Sequence, residues 1–299
     1  MKTTFENMIH TLLSFAALIT VAAIFPDGAA AQKAFSNPEA AAETLVAAVE
    51  KNDSQALRSI LGENWKRFIP TGDVAREDVD AFLAAWNTSH KMVAGADGRV
   101  HLAVGADEWI LPIPIVKSGN GWRFDVKAGA EEIRTRRIGQ NELSAMQAAL
   151  AYCDAQKEYA LADRNGDGVL EYAQRFVSSP GKHDGLYWEE TSGEAESPLG
   201  PLFGDDKPGT DYHGYYFKIL KAQGRHAEGG SYDYTIKGRM TSGFALVAWP
   251  VKYGETGVMT FVVNHQGQIY EKNLGPKTDA AARALKVFDP DSNWRKVAP

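Results

Sequence analysis

The chain has 299 residues, 44% of them hydrophobic and 23% charged, with a formal net charge of -6. This is the composition of a globular protein long enough for two domains with separate cores. A mildly acidic chain without a Lys/Arg-rich run argues against nucleic acid or an anionic membrane surface as partner.

Residues 1–31 have the pattern of a secretory signal peptide. Lys2 supplies a thin positive start, Leu12 to Phe25 an apolar run too short for a comfortable membrane span, and Pro26 a break. Ala29-Ala30-Ala31 offers small residues for cleavage before Gln32. Removing Lys2, Glu6 and Asp27 would leave 31 basic and 36 acidic residues, a net charge of -5. The expected product is exported, periplasmic or secreted, with no membrane span after cleavage. Cys153 is the single cysteine, so no internal disulfide forms. Its helical spacing reads as a small buried apolar group.

Residues 37–61 read as helical. Asn37-Pro38-Glu39 supplies a capping side chain, Pro at the first turn and an acid, and Ala41, Leu45, Val46 and Val49 form a stripe. Asn52-Asp53 restarts a shorter helix that Gly62 ends. Asp73 to Trp86 gives a third. The period then changes. Lys91–Ala94, Val100–Val104, Glu108–Val116 and Gly121–Val126 are short β-rich runs separated by Gly- and Asn-bearing turns, an antiparallel meander. Pro112 and Pro114 mark an edge or irregular strand. Helices followed by a curved meander fit, by analogy alone, a cystatin-like or nuclear-transport-factor-like cone.

The weakly patterned EEIRTRRIG at 131–139 suggests a domain boundary, giving 32–137 and 138–299. Asn141 then caps a long helix through about Ala162, with Leu143, Met146, Leu150 and Cys153 on one face. DRNGDGVLEY follows at 163–172. An EF-hand-type loop places oxygen ligands at positions 1, 3, 5, 7, 9 and 12, with Gly at 6. Counting from Asp163, these fall on Asn165, Asp167, the Val169 carbonyl and Glu171, with Gly168 at the turn. Gln174 stands where a bidentate Glu belongs. The stretch therefore reads either as a weak structural Ca2+ site or as a polar turn held by its own side chains.

Residues 179–211, rich in Pro, Gly, Ser and acids, read as a long surface loop. The remainder is β-rich: Tyr212–Leu220, Phe244–Pro250, Val258–Asn264 and Gln268–Asn273 are expected strands, followed by a helix over Asp279–Val287. The whole is expected to be α+β, with N-terminal helices and an antiparallel meander, then a long helix packed on an antiparallel sheet.

Catalytic patterns are sparse. There is no HExxH, GxSxG or CxxC, and Ser179-Pro-Gly-Lys182 matches SxxK only formally, since Pro and Gly oppose the helix that motif needs. His183-Asp184 and Asp211-Tyr212-His213 put acid beside imidazole, the raw material of acid–base hydrolysis. Tyr187, Trp188 and Tyr216 could join His183, Asp184 and His213 in a binding groove.

The run AYCDAQKEYALADRNGDGVLEYAQRFVSSPGKHDGLYW, with SPLGPL, HGYYFKIL, GFALVAWPVKYGETGVMTFVVNHQGQIYEKNLG and FDPDSNWRKV, resembles a family of exported bacterial proteins catalogued as a domain of unknown function. That resemblance implies no catalytic residues. A second resemblance, over about 140–273, is to the globular part of type II secretion pseudopilins and related pilins. It implies a pilin-like C-terminal half, here behind an N-terminal domain instead of a polymerising helix. Together these readings describe a non-enzymatic envelope protein that binds a protein or polymer partner. The alternative is an envelope hydrolase using the 183–213 loop.

Overall fold

The computed structural model describes residues 32–69, 73–189, 196–199 and 212–299. The expected leader 1–31, part of the long loop after residue 189, and Asp211 lie outside the described residues. The chain is α+β and divides into two compact units between Arg137 and Ile138.

The N-terminal unit opens with α1, Pro38–Glu50, where the Asn37 side chain accepts from the Ala40 amide at 2.7 Å. In α2, Ser54–Leu61, Asp53 accepts from Gln55 and Ala56, and Gly62 at φ +82° ends the helix. After a 3-10 turn at Trp65–Arg67 comes α3, Asp73–Thr88. The antiparallel sheet runs in the order β1 (His90–Ala94), β2 (Val100–Val104), β4 (Ile115–Ser118), β5 (Gly121–Phe124). The expected strand 108–116 is split: β3, Trp109–Ile110, pairs with β2, and Pro112 and Pro114 interrupt the ladder before β4. Leu45, Leu57, Ile60, Trp65, Leu102, Ile115 and Phe124 form this unit's core.

The long helix begins earlier than its periodicity indicates. Helix α4 is Val126–Tyr159, 34 residues, and the weakly patterned 131–139 lies inside it. Asp125 caps it by accepting from the Ala128 amide at 3.0 Å. Glu131–Arg134 and Glu132–Arg136 pair across single turns, supplying local support where an apolar stripe is weak. Gly129 lets Ile113 approach, since a Cβ there would lie 2.9 Å from its side chain.

In the C-terminal unit, β6 (Tyr215–Leu220), β11 (Ala245–Pro250), β12 (Thr260–Asn264), β13 (Ile269–Lys272) and β14 (Arg295–Val297) form an antiparallel sheet in the order β14-β13-β12-β11-β6. Every residue of β11 is buried. Tyr152 of α4 sets its ring edge-on to Phe244 and donates its hydroxyl to the Ala245 carbonyl at 3.3 Å. Cys153 is buried on the same helix. Helix α5, Thr278–Ala284, is stopped by Lys218, whose ammonium donates to the carbonyls of Ala282, Arg283 and Leu285. Two short pairs complete the unit: β7 (Ala222–Gln223) with β8 (Tyr232–Asp233), and β9 (Thr235–Ile236) with β10 (Arg239–Met240).

Candidate functional site

The loop after α4 is a closed set of side-chain turns. Asp163 accepts from the Gly166 amide (2.8 Å), the Asp167 amide (3.2 Å) and the Gly168 amide (2.7 Å). Asn165 accepts from the Asp167 amide at 3.1 Å, and Asp167 from the Val169 amide at 3.0 Å. Gly166 and Gly168 at φ +74° and +83° supply the left-handed backbone. The Gly168 amide, followed by the loop's other amides, holds the Asp163 carboxyl below the usual carboxylate range. Glu171 receives the Asn165 side-chain amide at 2.7 Å. Burial, then the nearby Asp167 charge, raises its pKa.

Two contacts bear on calcium. Asp167 Oδ2 pairs with Arg239 of β10 at 2.7 Å. Gln174, at the twelfth loop position, donates to the Gly238 carbonyl, while its oxygen accepts from Lys221 at 2.9 Å. Among the described residues no three His, Cys, Asp or Glu side chains gather as metal ligands. An ion here would have to use Asn165 and the Val169 carbonyl and share Asp167 with a guanidinium.

Beside this loop lies a cleft of about 880 Å³ lined by Arg164, Asn165, residues 177–184 and residues 187–189. Its wall is a strap that doubles back on itself. The Tyr187 amide donates to Phe176 and the Ser178 amide to Tyr187, each at 2.8 Å. Ser179-Pro180-Gly181-Lys182 is a type II turn: Lys182 N–H donates to the Ser179 carbonyl at 2.9 Å, with Gly181 at φ +71°. That turn is the structural content of the formal SxxK match.

Asp184 closes the strap. Its carboxylate accepts from the Ser179 amide (2.7 Å) and hydroxyl (3.0 Å), and Arg175 lies 3.6 Å away while donating to the same hydroxyl. Burial alone would raise the Asp184 pKa. The Ser179 hydrogen bonds and the charges of Arg175 and Lys182 outweigh it, so the group sits below the usual carboxylate range. Such a carboxylate is a weak base. His183 stacks on Trp188 with ring centroids 4.3 Å apart, and its carbonyl accepts from the Tyr159 hydroxyl at 2.7 Å. Burial pushes the Tyr159 phenol up to about 12.

The structure thus brings His183, Asp184, Tyr187 and Trp188 into one cleft and leaves two expected members outside its lining. His213 (φ +49°) and Gly214 (φ +72°) are the centre of a tight turn closed by reciprocal Tyr212–Tyr215 backbone bonds. Tyr216 packs on Trp249 beneath Arg283, which also pairs with Asp279 of α5. Arg164, which the sequence did not single out, lines the cleft with Ser179, known there only from the formal SxxK match, and Arg175 supports Ser179 from outside the lining. The turn signature SPG followed by Asp is the local signal for Ser179. A further acid–imidazole pair, His226 with Asp289, joins residues 63 apart at 3.1 Å, a separation no spacing rule reaches. It braces Gly224, where a Cβ would lie 2.2 Å from the Asp289 carboxyl carbon.

The chain belongs to the family described as "Protein of unknown function (DUF2950)", whose model matches residues 32–297. No curated protein and no solved structure matches it. Among the described residues, no helix is long and apolar enough to cross a membrane.

Proposed function

We propose that this is an exported envelope protein that binds a protein or polymer partner through the cleft at 164–189 without catalysing a reaction. The leader-like residues 1–31 support export. The observation that carries the binding reading is the occupation of Asp184. The acid that hydrolysis would need beside His183 is fastened to Ser179 and Arg175, and it holds the strap in shape. What remains open is a polar cleft with a half-buried Tyr187, an exposed Lys182 and an exposed Glu189, which is suited to recognition. The C-terminal helix and antiparallel sheet suit a pilin-like plan used as a soluble module. Any calcium held by 163–171 is structural and weak, because Arg239 already pairs with Asp167.

The test uses purified full-length protein immobilised against envelope fractions, in parallel with a Lys182→Glu, His183→Ala double variant. Material retained by the wild type and lost by the variant is the expected result. Release of fragments from that material over time would replace binding with hydrolysis.

A further inference from the structure

The structure assigns Arg164 as a receptor for a carboxylate on the partner that enters the cleft, an assignment that rests on the binding reading above. The guanidinium carbon of Arg164 lies 5.3 Å from the Trp188 ring centroid and 5.8 Å from that of Tyr159. These contacts hold the group over two aromatic rings. Its Nε is buried without a hydrogen-bond partner among the described residues, and no hydrogen bond or ion pair to an acid holds its guanidinium there. Other arginines of the chain are matched to acids, Arg136 to Glu132, Arg239 to Asp167, Arg283 to Asp279 and Arg295 to Glu271. Arg164 instead lines an open cleft, in the company of Lys182.

A buried donor without an acceptor is uncommon in a finished structure and asks for one from outside. A planar fork fixed on aromatic rings suits a planar two-oxygen acceptor, and its rotamer entropy is spent before the ligand arrives. The charge around it selects among oxyanions. Asp184 is already offset by Arg175, and Lys182 adds attraction at the rim, but Glu189 is exposed on the same lining. A singly charged carboxylate is tolerated beside that acid better than a phosphate monoester near two charges. The assignment also gives the DRNGDG loop a task. By turning the side chains of residues 163, 165 and 167 onto its own amides, it leaves residue 164 directed at the rings.

The experiment titrates full-length wild type, Arg164→Gln and Arg164→Lys by calorimetry at low salt and pH 7 with four polymers. Polyglutamate and polygalacturonate carry carboxylates on a peptide and on a sugar chain, polyphosphate carries phosphate, and dextran carries no charge. The expected result is binding of at least one carboxylated polymer. Affinity should fall tenfold or more in Arg164→Gln and be restored only partly in Arg164→Lys, which keeps the charge without the fork. Which carboxylated polymer binds names the source. Equal affinity of wild type and Arg164→Gln, tighter binding of polyphosphate, or no binding of either carboxylated polymer overturns the assignment. Retention of envelope material separates the two levels. If the wild type retains it and Arg164→Gln retains as much, the Arg164 role fails while cleft binding stands. If the wild type retains none, the binding reading itself fails. Arg164 makes no hydrogen bond or ion pair to an acid among the described residues, so Arg164→Gln loses only its two ring contacts and should melt at most a little below the wild type.

Discussion

Gln156 and Ala173 grip each other through both ends of one side-chain amide: Nε2 donates to the Ala173 carbonyl and Oε1 accepts from the Ala173 amide, each at 2.8 Å. Gln156 is fully buried. The pair ties the end of α4 to the segment that leaves the 163–171 loop, so the loop is clamped at both ends. Gln156→Leu would strand the buried Ala173 N–H and C=O. We expect a loss of about 2–4 kcal/mol of stability, read as a lower urea midpoint with unchanged slope.

Gly185 sits where the strap folds back on itself. A Cβ there would lie 2.7 Å from the Ser178 amide nitrogen and from the Val177 carbonyl carbon. Backbone cannot swing aside as a side-chain tip can. Gly185→Ala should cost about 1–3 kcal/mol and loosen the 178–187 bonds, with faster amide exchange at Ser178 and Tyr187. Unchanged exchange would show that the strap yields without breaking.

The carboxyl of Asp184 titrates below its unfolded value, so the stability it adds is present above the unfolded pKa and disappears as pH falls through the folded one. Asp184→Asn should therefore be destabilising at pH 7. The gap to wild type should close as pH drops below about 3.9, the ordinary range of Asp. A gap independent of pH between 2 and 7 would assign the effect to packing.

Burial pushes the Cys153 thiol up to about 12, and the residue is 1% exposed. Both remove the reactive thiolate. At pH 8 a disulfide reagent should label the native protein no faster than the protein opens, and label it fully in denaturant. Rapid native labelling would mean that α4 separates from the sheet far more often than its packing implies.

Arg239 competes with any cation for Asp167. Arg239→Gln should therefore show a larger rise in melting temperature with several millimolar calcium than the wild type does, and chelator should abolish the difference. The same small response in both proteins would mean that the loop oxygens stay committed to their own amides.

Legibility followed the range of the interactions involved. The caps at Asn37 and Asp53 and the stop at Gly62 are local, and they mark α1 and α2 in the sequence to within a residue or two. The four long C-terminal strands show as β-rich runs for the same reason. The first turns of α4 do not, because they rest on Glu–Arg pairs and on a glycine chosen for Ile113, a residue on another element. β7 to β10 are two residues each, too short for alternation to register. In the cleft, His183, Asp184, Tyr187 and Trp188 are sequence neighbours and could be grouped by eye. His213 is close in sequence to the long loop but serves a turn. Arg164 is conspicuous only once the Tyr159 and Trp188 rings are seen beside it, which no spacing reveals.

The amides of Gly166, Asp167, Gly168 and Val169 are satisfied by the side chains of residues 163, 165 and 167, and none by that of residue 164. The scaffold of the turn and its contact residue are therefore separate variables. Arg164 could be exchanged for Lys, Gln or Tyr in one mutational step or two with the turn kept intact. If Arg164 receives the partner as proposed, ligand preference can diverge at one position on a fixed mount.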